Sequence, residues 1–158
     1  ICQFLSETYN RRDDQYGGAL ENRARLLFEI VSGIRAACGD GFLIGVRLSP
    51  ERFGMRLAEA LKVCQQLIDG GETDFLDISL WDSFKLPVEE EFQDKSLLAH
   101  FADLPRGNVR LTVAGKITGS NGIDIAGVST FDAATLKEKN IYVRPSNEIR
   151  LIKNLSEL

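Results

Sequence analysis

Apolar residues along the first half of the chain follow a helical spacing in two separate segments. In the first segment, steps of four and three residues place on one face Leu20, Ala24, Leu27, Val31, Ile34 and Cys38. This spacing predicts a helix of about five turns, which Gly39 ends. The second segment predicts a helix whose inner face holds Leu57, Leu61, Cys64 and Ile68. Gly70 and Gly71 follow that segment and close the helix.

Short, nearly continuous apolar runs lie between and after these helices. They begin near Leu43, Phe75 and Val109 and read FLIGVRLSP, DFLDISL and VRLTVAGKI. A run that is apolar at successive positions is typical of a parallel strand buried on both faces. A further helix is predicted from Val88 to Asp103, and its first turn would hold the acidic residues 89–91, which suit the positive end of a helix dipole.

The alternation of strands and helices predicts an α/β fold with right-handed parallel crossovers. It fits either a doubly wound sheet or a slice of a (β/α)8 TIM barrel. A whole barrel needs about 250 residues, so a chain of 158 residues would hold about half of one. After Ile117 the pattern weakens, and no clear strand is predicted at the expected distance. We therefore divide the chain into a partial barrel, residues 1–117, and a divergent tail, residues 118–158, which could hold a degenerate last βα unit.

Composition and charge narrow the possible functions. A content of 44% hydrophobic and 27% charged residues is that of a globular protein, and a net charge of −4 argues against a nucleic-acid surface. No apolar run approaches the roughly 18 residues of a membrane span, and no signal peptide is evident. Cys2, Cys38 and Cys64 match no metal-ligand spacing, so we expect reduced, buried thiols in a cytoplasmic protein. Because Ile1 is not Met, we expect a chain cut from a longer protein.

The stretch before the first long helix sets Asn10, Arg12, Asp14 and Tyr16 at intervals of two residues, followed by the pair Gly17-Gly18. An extended segment with this period places the four side chains on one side, where Arg12 and Asp14 can form charge-assisted hydrogen bonds. The glycines permit a sharp turn into the helix. The alternative is a solvated loop, but the fixed register of unlike polar residues favours an ordered loop with a structural role.

These residues and their neighbours resemble the signature of the old yellow enzyme family, NADH:flavin oxidoreductases that use FMN and are built on a TIM barrel. The pattern N-x-R-x-D-x-Y-G-G, followed by E-N-R and preceded by QFLS, is matched by Gln3, Phe4, Leu5, Ser6, Asn10, Arg12, Asp14, Tyr16, Gly17, Gly18, Glu21, Asn22 and Arg23. The segments GVRLSP and VAGKI resemble the fifth and seventh barrel strands of that family. The resemblance implies the C-terminal half of such a barrel. In one departure, Ala19 stands where the family usually has a capping Ser.

Arg47 is the first candidate for cofactor binding. The aliphatic set Ile44, Val46 and Leu48 belongs against the helices, which leaves Arg47 pointing into the barrel at the carboxyl end of its strand, where active sites lie. In the resembled family the matching arginine hydrogen-bonds the flavin near N1 and O2, where its charge stabilises the anionic reduced form. The alternative is an arginine that forms a salt bridge at a strand end.

Gly115 is the second candidate, because a glycine at a strand end lets a phosphate approach backbone N–H groups. The resemblance places Ala114, Gly115 and Lys116 in the FMN phosphate cradle, although Lys116 could equally face solvent. For the family's eighth-strand Gly-Arg, the nearest counterpart is the segment 143–145, in which Arg144 follows a valine that would crowd a phosphate. The family's substrate-binding His pair or His-Asn pair and its tyrosine would lie upstream of Ile1. We therefore assign no catalytic residue and no metal ligand.

Four other residues have open roles. His100 is expected at a helix surface or half-buried rather than in catalysis. Asp77 and Ser79 end a strand at the functional face, and Trp81 could line the pocket or belong to the core.

The resulting hypothesis is a fragment of an FMN-dependent NAD(P)H oxidoreductase that reduces activated alkenes, such as α,β-unsaturated carbonyls, by hydride transfer through FMN. The alternatives are a non-catalytic half-barrel or decayed fragment that binds no flavin, and another TIM-barrel enzyme that acts on phosphorylated small molecules through Gly115. We expect the chain alone to bind FMN weakly or not at all and to reduce no enone. Its two exposed strand edges favour a homo-oligomer, while no nucleic-acid or membrane partner is expected.

Overall fold

A computed structural model of the chain describes residues 1–115 and 141–143. It contains one sheet of parallel strands, each joined to the next by a crossover that carries a helix where the chain is described. The strands stand in chain order and are β1 (Gly45–Leu48), β2 (Phe75–Ser79), β3 (Arg110–Ala114) and β4 (Ile141–Val143). This is the arrangement of a partial (β/α)8 barrel, as the sequence predicted.

The helices supply the other layer of the core. They are α1 (Cys2–Leu5), α2 (Leu20–Cys38), α3 (Leu57–Asp69) and α4 (Leu97–Ala102), with a 3₁₀ turn at Glu90–Phe92. The predicted limits of α2 and α3 are confirmed, and Gly39 ends α2 with a φ of 75°. Inner residues of these helices form one hydrophobic core with the strand residues that face them.

The prediction of one helix from Val88 to Asp103 is wrong. Helix α4 begins only after Ser96, whose side chain accepts a hydrogen bond from the backbone N–H of Ala99 at 3.4 Å. The Glu89 carboxylate instead accepts the backbone N–H groups of Leu57 and Ala58, at the start of α3, and pairs with Arg56. An acidic side chain does stabilise a helix N-terminus here, but it does so for a helix that lies earlier in the sequence.

The strands are buried on one face, whereas the sequence predicted burial on both. Residues that point toward the helices are buried, namely Val46, Leu48, Leu76, Ile78, Leu111 and Val113. The opposite face, which we call the open face, carries Gly45, Arg47, Phe75, Asp77, Ser79, Arg110, Thr112 and Ala114, all exposed or half-buried. In a complete barrel this face is the interior, so its burial requires strands beyond the four described.

Strand β4 was predicted only in part. No clear strand was predicted at the expected distance after Ile117, yet β4 pairs in parallel with β3, with Leu111 opposite Ile141. It ends at Val143, in the segment that the sequence offered as the nearest counterpart of the eighth strand, and a degenerate last βα unit in the tail stays a prediction. A strand of three residues is too short to produce a periodic pattern in the sequence. The rest of the tail, residues 116–140 and 144–158, lies outside the described residues, so the proposed boundary near residue 117 stays a prediction.

The opening loop is ordered by its own side chains. The Asn10 amide donates to the carbonyl oxygens of Phe4 and Tyr16, both at 2.7 Å, and its side-chain oxygen accepts the backbone N–H of Arg12 at 3.1 Å. Arg12 makes a two-pronged ion pair with Asp14, and its guanidinium lies 5.6 Å from the Phe4 ring centroid. The expected structural role of these residues is therefore confirmed.

The Arg12–Asp14 pair is nevertheless half-exposed, with 49% and 42% of the two side chains accessible. The Arg12 hydrogen bond lowers the pKa of Asp14 below its usual value, helped by the backbone N–H of Tyr16. A depressed carboxyl pKa favours the folded state above the unfolded pKa, and this contribution is lost as the pH falls. Because water screens the pair, Asn10 rather than Asp14 is the residue on which this loop depends.

We predict that Asn10→Asp lowers the free energy of unfolding by about 2 kcal/mol, because a carboxylate of the same shape would face two carbonyl oxygens to which it cannot donate. Urea unfolding of the chain would measure the loss. Asn22→Asp is the matched control, because the Asn22 side chain accepts from Arg25 at 2.9 Å and an Asp keeps that role. Equal midpoints for the two variants would contradict the prediction.

The cysteines and His100 are placed in part as expected. Cys64 is buried, and burial raises the pKa of its thiol to about 12, but the free thiols of Cys2 and Cys38 are exposed. His100 is buried rather than at a surface, and its Nε2 lies 2.8 Å from the Phe92 carbonyl oxygen. Among the described residues, no helix has the length and apolar character that crossing a membrane requires.

Candidate functional site

The candidate site lies on the open face, at the carboxyl ends of β1, β2 and β3. Arg47 is the third residue of β1 and stands opposite Asp77 of β2, which in turn stands opposite Thr112 of β3. Because alternate residues of a strand share a face, Arg47, Asp77 and Thr112 all project to the same side as Ser79. The strand register therefore places polar side chains from three neighbouring strands side by side in one cluster.

Arg47 keeps most of its guanidinium available. Its Nε donates to the Ser79 hydroxyl at 2.7 Å and lies 3.7 Å from an Asp77 carboxylate oxygen, while 60% of the side chain is exposed. Within residues 1–115, no hydrogen bond engages its two terminal nitrogens. Arg47 thus forms the strand-end salt bridge that the sequence offered as one reading, and its role in flavin binding stays a prediction.

Asp77 is the better buried partner of this pair. Its side chain is 15% exposed and accepts a hydrogen bond from the Thr112 hydroxyl at 3.0 Å. Thr112 and Ser79 therefore hold the carboxylate and the guanidinium in one orientation. The result is a cation whose position on the open face is fixed by three side chains before any ligand binds.

Gly115 directly follows β3, at a position where the structure leaves no space for a side chain. A Cβ atom at this position would lie 1.7 Å from the carbonyl oxygen of Leu80. The Ser83 hydroxyl donates to the Gly115 carbonyl at 2.8 Å, and the Leu80 N–H donates to Ala114 at 2.7 Å. The close approach of the β2 loop is therefore sufficient reason for a glycine here. Its position at a carboxyl strand end remains compatible with an anion site.

The loop after β1 is held in an unusual backbone conformation. Glu51 and Phe53 have φ angles of 56° and 54°, a region that residues with side chains rarely adopt. The Glu51 carboxylate, whose side chain is 6% exposed, binds the Lys85 ammonium and the backbone N–H of Val88, both at 2.5 Å. This buried ion pair fixes the loop after β1 against the loop after β2.

Trp81 lies outside the hydrophobic core. It follows β2 with 67% of its surface exposed, and the Arg52 guanidinium lies 5.3 Å from its ring centroid. The reading that placed Trp81 in the core is therefore wrong, while the reading that it lines a pocket stays a prediction.

Arg23 is the important residue to which sequence analysis gave no role. It is 3% exposed, and its guanidinium pairs with the Glu59 carboxylate of α3 and donates to the carbonyl oxygens of Leu5 and Gly18. It thereby joins α1, the glycine turn and two long helices. A signal was present, because Arg23 lies three residues after Leu20 and four before Leu27, on the inward stripe of α2.

The structure brings together some of the predicted cofactor residues. Arg47 hydrogen-bonds to Ser79, and Ser79 stands opposite Ala114 in the sheet, with Gly115 next in sequence. Lys116 lies outside the described residues, as does Arg144, which follows the last residue of β4. No group of three or more His, Cys, Asp or Glu side chains that could hold a metal occurs in the described part of the chain.

The candidate site lies at the carboxyl ends of parallel strands, which is where TIM-barrel enzymes have their active sites. Comparison with known proteins gives the family. The model of the NADH:flavin oxidoreductase / NADH oxidase family matches residues 1–90. The chain belongs to this family, which confirms the membership and the cofactors, FMN and NAD(P)H, that the resemblance implied.

The chain aligns with only a small part of each curated relative. A cinnamate reductase from Clostridium sporogenes is 30% identical over 157 residues, which is 94% of this chain and 18% of that protein. A probable N-methylproline demethylase from Rhizobium meliloti is 40% identical over 81 residues, 49% of this chain and 12% of that protein. The chain therefore spans less than a fifth of the length of either relative.

Solved structures agree on the fold. Morphinone reductase in complex with tetrahydroNAD superposes with a TM-score of 0.56 and 25% identity, over 90% of this chain and 36% of that one. A 2-naphthoyl-CoA reductase gives a TM-score of 0.62 at 21% identity, over 89% of this chain and 21% of that one. The likeness to the second structure concerns the fold alone.

Proposed function

We propose that this chain is the C-terminal half of the flavin-binding barrel of an oxidoreductase that passes hydride from NAD(P)H through FMN to an activated alkene. The observation that carries the proposal is Arg47, whose guanidinium is fixed by Ser79 and Asp77 on the open face with two nitrogens left to bind. FMN supplies the acceptance and donation of hydride. The residues of this chain supply position and charge.

The described residues fit the electron-accepting ring of FMN. A flavin takes up negative charge on reduction, and a guanidinium provides directed N–H donors that keep their charge at any physiological pH. A carboxylate oxygen of Asp77 lies 3.7 Å from Nε of Arg47 and partly offsets its positive charge. The Ser79 hydroxyl accepts a hydrogen bond from the same Nε. Arg47 would therefore bind the ring through its terminal nitrogens, without needing to move.

The phosphate of FMN is assigned to the end of β3. We propose Ala114, Gly115 and Lys116 for this role, with Arg144 after β4 as a further cationic group. The support is positional: Gly115 stands at the carboxyl edge of the sheet, and β4 brings Val143 beside Val113. The absence of a side chain at Gly115 is accounted for by Leu80, so it adds nothing to the assignment.

The alkene substrate is inferred from the relatives. One similar protein is named a cinnamate reductase, and another is a multifunctional alkene reductase/demethylase from Caballeronia cordobensis. The name of the second also includes demethylation, so alkene reduction and demethylation both occur in the names of relatives. We favour alkene reduction because the match to the cinnamate reductase extends over 157 residues.

Substitution of Arg47 in a complete barrel that carries this segment tests the role of the cation. We expect Arg47→Met to lower the reduction potential of the bound flavin by about 30–65 mV, since a charged hydrogen bond is worth about 1.5–3 kcal/mol and about 30 mV corresponds to about 1.4 kcal/mol for two electrons. Spectroelectrochemical titration measures the potential. Arg110→Met, which removes a cation from the amino end of the same face, is the control. A potential unchanged in Arg47→Met would leave Arg47 with only its salt bridge.

A second function is favoured by the open face itself. Within the described residues, the sheet has one uncovered face and no strand paired to the outer edge of β1, so it lacks most walls of a flavin pocket. The chain alone could therefore act as a non-catalytic half-barrel that associates with another chain. We propose that the 158-residue chain binds FMN weakly and reduces no enone. Titration with FMN, followed by flavin fluorescence, tests this. A purified yellow chain with stoichiometric flavin and turnover would refute it.

The cytoplasmic location and the homo-oligomer stay predictions.

A further inference from the structure

The loops beyond the carboxyl ends of β1 and β2 present a second arrangement of charge and rings, which the proposed function does not use. The Arg52 guanidinium lies 5.4 Å from the Phe53 ring centroid and 5.3 Å from that of Trp81. The two rings are 47% and 67% exposed. A cation close to two accessible aromatic rings is thus presented to solvent in the loops that follow β1 and β2.

The charge of Arg52 is available to a ligand. The nearest acidic residue in sequence, Glu51, is committed to Lys85 and Val88 and is 6% exposed. Asp82, next to Trp81, accepts the backbone N–H of Phe84 at 3.1 Å. Across residues 1–115, no carboxylate forms an ion pair with Arg52.

The residues on either side of Arg52 have an unfavourable backbone conformation, which contacts with the rest of the structure must stabilise. Glu51 and Phe53, on either side of it, both have φ angles in the left-handed region. Side chains rarely adopt that region, and where they do the surrounding structure imposes it, often at ligand sites. Here the buried Glu51 carboxylate imposes it by binding the loop after β2, the same loop that carries Trp81.

We propose that Arg52 and Trp81 form a binding site for an aromatic carboxylate at the mouth of the barrel. The guanidinium offers a planar pair of N–H donors that matches a carboxylate, and the exposed indole offers a face on which an aryl ring stacks. Phe53 extends the aromatic surface on the other side of the cation. The site selects for a ring and an anionic group in one small molecule.

The single tryptophan of the sequence makes the site directly observable in the chain without flavin. Fluorescence of Trp81 is followed while benzoate, benzyl alcohol or cyclohexanecarboxylate is added. Benzoate carries both recognised groups, whereas each of the other two lacks one. We expect saturable quenching by benzoate, with an affinity about tenfold higher than for either analogue, because each analogue forfeits one interaction. This comparison needs no variant, and it is independent of whether the chain binds FMN.

Variants then assign the charge to Arg52. We expect Arg52→Gln to reduce the affinity for benzoate about tenfold, to the level of benzyl alcohol, and Arg52→Lys to restore part of it because a lysine keeps the charge but not the planar fork. Arg11→Gln, an exposed arginine of the opening loop, loses the same charge elsewhere and should bind benzoate like the parent. The proposal is overturned if the parent shows no saturable binding, if the three probes bind alike, or if Arg52→Gln binds benzoate undiminished.

Discussion

Replacement of Arg23 by Met is expected to lower the free energy of unfolding by about 3–5 kcal/mol, because it leaves the Glu59 carboxylate with no cation in a nearly buried position. The Arg23 side chain is 4% exposed and that of Glu59 is 16% exposed. The same substitution removes the donors that satisfy the carbonyl oxygens of Leu5 and Gly18. Few other single changes would loosen both ends of the opening loop and the packing of two helices together.

Urea unfolding, followed by circular dichroism, measures the loss. The double variant Arg23→Met/Glu59→Met is the informative companion, because it removes the stranded charge while keeping two side chains of similar bulk. We expect it to recover a large part of the stability. Arg25→Met, an exposed position on the same helix, should change little. A single Arg23→Met variant as stable as the parent would mean that the guanidinium contributes nothing to this junction.

Arg23 also shows how far the sequence predicts this fold. Periodicity places α2 and α3 to within a residue, since each has a long apolar stripe and a glycine at its end. The same stripe marks Arg23 as inward-facing, but its partner Glu59 lies 36 residues away. Contacts of that separation depend on how helices pack, which local patterns do not encode.

The errors have the same physical origin. Glu89 was placed in the first turn of its own helix, yet it binds the N-terminus of α3, more than 30 residues earlier in the sequence, because the loop after β2 packs against the start of that helix. Burial on both strand faces was predicted because the runs are nearly continuous, but the second face is covered only where further strands complete the barrel. For the candidate site, alternation along β1 was enough to place Arg47, while its partners Asp77 and Ser79 required the register between strands.

Gly115 provides a sharper case in which one residue type permits two explanations. The sequence predicted a phosphate-binding position at Gly115. In the structure, the Leu80 carbonyl oxygen occupies the space that a side chain at Gly115 would need. We predict that Gly115→Ala destabilises the chain by about 3 kcal/mol, since the clash is with backbone and cannot be relieved by a rotamer change. The hydrogen bonds from Ser83 and Leu80 to the end of β3 would be stretched or lost as the strands separate.

Gly33→Ala is the matched control for Gly115→Ala, because a Cβ there meets no atom within 4 Å and the position lies inside α2. It should raise the stability by about 0.5–1 kcal/mol, the usual gain when alanine replaces glycine in a helix. Ser83→Ala separates the two causes at Gly115, as it removes one hydrogen bond without adding bulk, at a cost of about 1 kcal/mol. If Gly115→Ala were as stable as the parent, the close approach of Leu80 would not be a constraint. The glycine would then have to be explained by a ligand, and the phosphate assignment would gain the support that it now lacks.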